Sequence, residues 1–121
     1  MTHLTKLDQY FKDNRESHLE ELNDFLRIPS ISALSEHKTD MLQAADWLVN
    51  SLKEAGLENV SIDETDGHPA VYADWLHAEG KPTILVYGHY DVQPVDPLEL
   101  WDSAPFEPEI RENKLYARGA S

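Results

Sequence analysis

Apolar residues recur every three or four positions along the first part of the chain. Leu4, Leu7, Phe11, Leu19, Leu22, Phe25 and Leu26 fall on one stripe, which predicts a single amphipathic helix whose stripe packs into the core. Thr5 and Asp8 resemble a capping pair, placing the helix start between Thr2 and Thr5. Arg27 suits the negative C-terminal end, and Pro29 disfavours helix at Ile28. Turn-forming residues then dominate from Pro29 to Lys38. A second helix is predicted from Asp40, with Gln43 as its reciprocal cap. Its buried face is Met41, Ala44, Ala45, Leu48, Leu52 and Ala55, with Trp47 beside it as core packing, and Gly56 follows as a left-handed stop.

The period then changes from helical to extended. Val60-Ser61-Ile62-Asp63 alternates, so one face of this strand is wet. Asp66-Gly67-His68-Pro69 reads as a turn. Ala70 to Leu76 reads as a second strand, interrupted by Asp74 and so suited to a sheet edge. Thr83-Ile84-Leu85-Val86-Tyr87 is β-branched, aliphatic or aromatic throughout, which predicts a third strand buried on both faces. The short link from Leu76 suggests that it pairs antiparallel with the second. Gly88 ends the run and permits a sharp turn or a close approach. Four prolines punctuate the long segment from Pro94 to Pro108, where Trp101 and Phe106 are placed to pin it to the body. Ile110 to Ala117 reads as a tight hairpin turning at Glu112-Asn113. Arg118 to Ser121 reads as a frayed end.

Composition narrows the function classes. The 121 residues hold 23 acidic and 10 basic side chains, a net charge of -13. That argues against nucleic-acid or anionic-membrane partners, which need basic surfaces. There is no cysteine, so any zinc site must use His, Asp or Glu. Met1 to Tyr10 is mixed polar and no apolar run is long enough for a bilayer, which makes the cytoplasm the expected location.

Candidate chemistry concentrates at His89-x-Asp91, just past the third strand. Ligands in open α/β sheets gather outside the carboxyl ends of strands. A neutral imidazole is a good zinc ligand, and a carboxylate on its other nitrogen fixes the tautomer and raises its basicity. If the backbone stays extended past Gly88, residues 89 and 91 point the same way. The competing reading is a loop histidine beside a solvated aspartate. His3, His37, His68 and His77 are read as solvated, and His18 as a helix-surface histidine.

Three blocks decide between these readings by resemblance: Tyr87-Gly88-His89-Tyr90-Asp91-Val92-Gln93-Pro94, Trp101-Asp102-Ser103-Ala104-Pro105-Phe106-Glu107-Pro108, and Lys114-Leu115-Tyr116-Ala117-Arg118-Gly119-Ala120-Ser121. In this order they resemble the co-catalytic zinc exopeptidases and deacylases. That family includes bacterial dipeptidases, carnosinases, glutamate carboxypeptidases, aminoacylases and acetylornithine deacetylases, and the blocks look most like its dipeptidase branch. The likeness runs in register from Phe25-Leu26-Arg27-Ile28-Pro29-Ser30-Ile31-Ser32 to the last residue.

The resemblance implies an α/β fold, an incomplete three-layer αβα catalytic domain with a mixed sheet and two long N-terminal helices. It implies that His89 is a ligand to one of two zinc ions and that Asp91, counted with the catalytic residues, orients it. In the family an aspartate that bridges the metals follows the Arg-Gly-Ala-Ser block directly, and the general-base glutamate lies further on. Residues 1–121 therefore resemble the N-terminal part of a metallopeptidase catalytic domain, ended before the bridging aspartate and without a dimerisation or lid domain. The implied substrate is a dipeptide or small peptide. These residues alone are expected to bind metal weakly, to lack activity, and to self-associate through an exposed sheet edge. The alternatives are a fragment of an N-acyl amino acid deacylase, or a non-enzymatic remnant or assembly module.

Overall fold

The computed structural model describes residues 2–120. Helix α1 spans His3–Asp13, α2 Arg15–Leu26 and α3 Lys38–Glu54. Strands follow at Glu58–Asp63 (β1), Ala70–Asp74 (β2), Glu109–Arg111 (β3) and Lys114–Tyr116 (β4). No helix among the described residues is long and apolar enough to cross a membrane.

The expected single first helix is two. Thr2 caps α1 by accepting from the Thr5 amide at 3.2 Å. Asn14 leaves the helical region at φ -108°, ψ 8°, and its side-chain amide donates to the Tyr10 carbonyl at 2.8 Å. A short polar side chain that bonds local backbone competes with the helix at that point. The expected core stripe is also split. Leu26 is buried and Phe25 stacks on Trp47 with ring centroids 4.9 Å apart, whereas Leu4, Leu7 and Phe11 are exposed. The early part of the stripe thus covers no core among the described residues.

Helix α3 starts two residues before the expected Asp40, which lies in the first turn and faces His37 Nδ1 at 2.7 Å. Its end follows expectation. Gly56 has φ +88°, its amide donates to the Lys53 carbonyl and the Leu57 amide to the Leu52 carbonyl, each at 3.0 Å. Those paired bonds are a Schellman stop, which needs the left-handed residue. Among the described residues Leu26, Ile28, Ile31, Met41, Ala44 and Ala45 are buried together with Pro69 and Pro105, so most of the core sits where the end of α2 and the segment after it meet the first half of α3.

Strands β1 and β2 pair antiparallel and pack on α3. A bulge interrupts the register between Glu58 and Ser61, where Asn59 has φ +51°. Strand β2 ends at Asp74 rather than Leu76, and Asn59 and Tyr72 both donate to the Asp74 carboxylate. Strands β3 and β4 form the expected hairpin; Glu112 and Asn113 have φ +50° and +62°, the pattern of a type I′ turn. Among the described residues this α/β partial domain forms two separate antiparallel pairs.

The largest departure is at residues 83–87. They form no strand and do not pair with β2. Ile84, Leu85, Val86 and Tyr87 are each between 84% and 89% exposed. A strand dry on both faces needs layers above and below and neighbours on both edges, and the described residues supply neither. Gly88 is neither crowded nor at positive φ.

Residues 118–120 are held where fraying was expected, and Ser121 lies outside the described residues. The Arg118 amide donates to the Pro105 carbonyl at 2.7 Å, and its guanidinium donates to the Pro94 carbonyl at 3.0 Å and lies 5.0 Å from the Trp101 ring centroid. Gly119 has φ +85°, and a Cβ there would stand 2.8 Å from Val92 Cγ1. We expect Gly56→Ala to cost about 1 kcal/mol of stability. Gly119→Ala should cost about 2–4 kcal/mol, because strain and a clash with half-buried Val92 add. Urea unfolding of the two variants checks the order.

Candidate functional site

The site is built from two segments sixty residues apart. Ile28 and Ile31 are buried and anchor the chain after α2, with Ser30 buried between them. Ser30 Oγ donates to the Tyr90 carbonyl at 3.0 Å, and the Ser30 carbonyl accepts from the Val92 amide at 2.8 Å. Ile31 and Val92 form a parallel bridge. From the other side, the Tyr90 hydroxyl donates to the Pro69 carbonyl at 2.6 Å. Burial, then the charges of Asp91 and Glu64, push the Tyr90 phenol up from its usual range. Residues 90–92 are therefore clasped between the 30–32 segment and the turn before β2.

His89 and Asp91 meet across this clasp. His89 Nδ1 lies 2.9 Å from Asp91 Oδ1 and 3.1 Å from the Asp91 carbonyl oxygen. The other carboxylate oxygen, Oδ2, accepts from Ser32 Oγ at 2.5 Å. The Ser32 hydroxyl, opposed by partial burial and supported by the imidazole, holds the Asp91 carboxyl below its ordinary value. An ionised Asp91 can only accept, so in a neutral imidazole the proton facing it is carried on Nδ1 and the lone pair is left on Nε2. The His89 side chain is 78% exposed and that of Asp91 38%.

The imidazole stands between two clefts. One of about 700 Å³ lies against α3 and β2 and includes Met41, Leu48, Leu52 and Val71 in its wall. The other, of about 390 Å³, is lined by Phe25, Leu26, Arg118 and Gly119 with residues 89–93. One outward lone pair backed by a carboxylate has the chemistry of a single zinc ligand. Among the described residues no group of three or more His, Asp or Glu side chains is placed to share an ion. A whole zinc site does not fit these residues; one corner of it does.

Residues 85–121 match the family described as Peptidase family M20/M25/M40. The chain is 32% identical over 108 residues to the cysteinylglycine-S-conjugate dipeptidase of Corynebacterium striatum, covering 89% of this chain and 24% of that protein. It is 39% identical over 80 residues to the succinyl-diaminopimelate desuccinylase of Methylococcus capsulatus, covering 57% of this chain and 21% of that one. The dipeptidase Dug1p of Saccharomyces cerevisiae superposes with a TM-score of 0.87 at 25% identity, over 97% of this chain and 27% of its own. Over its last third the chain thus matches the M20 peptidase family. It spans about a quarter of the length of the curated relatives it matches.

The M20 match contains His89, Asp91 and the Arg118-Gly119 approach to Val92. The structure brings the two residues singled out from sequence into one hydrogen-bonded pair. Of the other histidines, exposed His68 reaches the clasp, its Nε2 donating to the Ser32 carbonyl at 2.9 Å, whereas His37 faces Asp40 and exposed His77 has Nε2 2.8 Å from Glu58 Oε2. His18 packs against Tyr10 and Phe11. Ser30 and Ser32 had no role in the sequence reading. Nothing local marks a serine in a turn-rich segment as the partner of a carboxylate 59 positions away.

The lowered Asp91 pKa has a consequence for stability. A carboxyl whose folded pKa lies below its unfolded value stabilises the fold above the unfolded value, near pH 4, and loses that contribution as pH falls through the folded one. We expect the urea-midpoint difference between wild type and Asp91→Asn to be largest at about pH 6 and to shrink on approach to about pH 3.

Proposed function

We propose that residues 1–121 are the N-terminal part of the catalytic domain of a zinc-dependent metallohydrolase that cleaves amide bonds in dipeptides or small peptides. His89 is one metal ligand through Nε2, and Asp91 is the carboxylate that orients it. The observation that carries the reading is the Asp91–His89 bond, which turns Nε2 outward within the segment that matches the M20 family. When bound, zinc in such a site polarises a scissile carbonyl and acidifies a water. The chain's own share is to keep the Nδ1 proton on the carboxylate side and to hold the ring against the clasp at residues 90–92.

The dipeptidase assignment draws on likeness to the C. striatum dipeptidase over most of the chain. A deacylase reading is favoured by the higher identity to the desuccinylase over a shorter stretch. Both are amide hydrolyses, and the side chains that would choose between them are outside the pair described. The exposed run 84–87 supports one further part of the reading, self-association, through bare apolar side chains in place of the expected sheet edge.

One imidazole falls well short of the four ligands of a typical zinc site. We expect isothermal titration of residues 1–121 with zinc to show weak binding, reduced further by His89→Ala, and no peptidase activity. Tight stoichiometric binding that survives dialysis overturns the assignment of the missing ligands to other residues. In a longer protein carrying these residues, His89→Ala should lower kcat/KM at least about 100-fold on its best substrate among dipeptides and N-acyl amino acids. Chelator should abolish the activity, and equal activity with and without it counts against a metallohydrolase. In size exclusion, Val86→Lys should shift residues 1–121 toward monomer; a wild type that is already monomeric removes the self-association.

A further inference from the structure

We propose that Ser32 is a positioning residue that selects which nitrogen of His89 faces outward. The proposal deepens the metal-ligand reading of His89 and rests on it for its meaning, though the geometry stands without a metal.

A carboxylate held at one oxygen swings broadly about its last torsion, because that torsion joins sp³ and sp² atoms and is weakly constrained. Asp91 is held at both oxygens. Oδ1 meets His89 Nδ1 at 2.9 Å and Oδ2 accepts from Ser32 Oγ at 2.5 Å. The serine hydroxyl has one proton, and donating it to Oδ2 fixes the carboxylate plane so that Oδ1 points at the ring. Hydrogen bonds with an ionised acceptor are short and strong, and this one is partly buried, where water competes less.

The hydroxyl is itself placed by the fold. His68 donates to the Ser32 carbonyl at 2.9 Å, and two residues earlier Ser30 is bonded to both Tyr90 and Val92. Ser32 therefore links the segment after α2, the turn before β2 and the Asp91 carboxylate. Without it, Asp91 keeps only the bond to His89 and is free to turn to solvent, and a free imidazole then divides its proton between both nitrogens. The outward Nε2 would carry a proton part of the time and present no lone pair.

Long-range ¹H–¹⁵N spectra of the histidine rings in the 121-residue chain, at about pH 8 where imidazole is neutral, read the tautomer directly. In wild type His89 should show a protonated Nδ1 and a bare Nε2. Ser32→Ala should move both ¹⁵N shifts toward a mixture of tautomers. Ser32→Cys, close in size but a weak donor, should do the same, so the test survives if the alanine variant fails to fold. Ser32→Thr, which keeps the hydroxyl, should restore the wild-type shifts. Unchanged His89 shifts in both Ser32→Ala and Ser32→Cys overturn the proposal, as does a protonated Nε2 in wild type. Zinc titration of the same samples separates the two ideas. If His89→Ala leaves zinc binding unchanged while Ser32→Ala still moves the tautomer, the metal-ligand reading fails and the positioning role holds. If both hold, Ser32→Ala should weaken zinc binding about tenfold.

Discussion

The site depends on the clasp between residues 30–32 and 90–92. Ser30 contributes one bond from its side chain and one through its backbone, Ile31 aligns with Val92, and Ser32 reaches the Asp91 carboxylate. Each such bond is worth only about 0.5–1.5 kcal/mol net. Their effect is chiefly geometric, because Ile28 and Ile31 are buried and tie one side of the clasp to the same core as Met41, Ala44 and Ala45. The His89–Asp91 pair is thereby referenced to the end of α2 and the first half of α3, where buried side chains meet.

That anchoring comes from one direction only. Beyond Gly88 the backbone is clasped; before it, four large side chains lie in solvent. Burying such side chains is worth about 1.5–3 kcal/mol each, and the described residues do not realise that gain. His89 sits at the junction, attached to a fixed segment on one side and an uncovered one on the other. Its exposure and its orientation have separate causes. The ring is exposed beside a run, 83–87, that no described residue covers, and it is oriented because Asp91 is held. At the far end of the chain, the close approach of Gly119 to Val92 sets a second boundary on the same segment.

Elements whose causes are local were legible. The stop at Gly56 follows from one glycine after an apolar face, and the hairpin at Glu112-Asn113 from two turn residues between short strands. The pairing of His89 with Asp91 follows from an alternation of two. Elements whose causes are distant were not. The break at Asn14 depends on whether the side chain bonds the Tyr10 carbonyl or faces water, and the stripe on either side reads the same in both cases. The run 83–87 was read as doubly buried because its composition suits that state, yet burial is a property of what surrounds a segment. Arg118 looked free because its neighbours are small, while its partners lie at Pro94, Trp101 and Pro105.

By itself the sequence determined the identity of the central pair, the helix and hairpin stops, and the likeness to a hydrolase family, since these reside in spacing and in short ordered blocks. Only the tertiary structure decided that Ser32 and His68 join that pair, that the apolar run before it lies bare, and that the first stripe is cut in two. The physical reason is reach. Spacing encodes contacts within a turn or a strand, whereas a hydroxyl meeting a carboxylate 59 residues on, or a strand finding its cover, is settled only when the chain has folded back on itself.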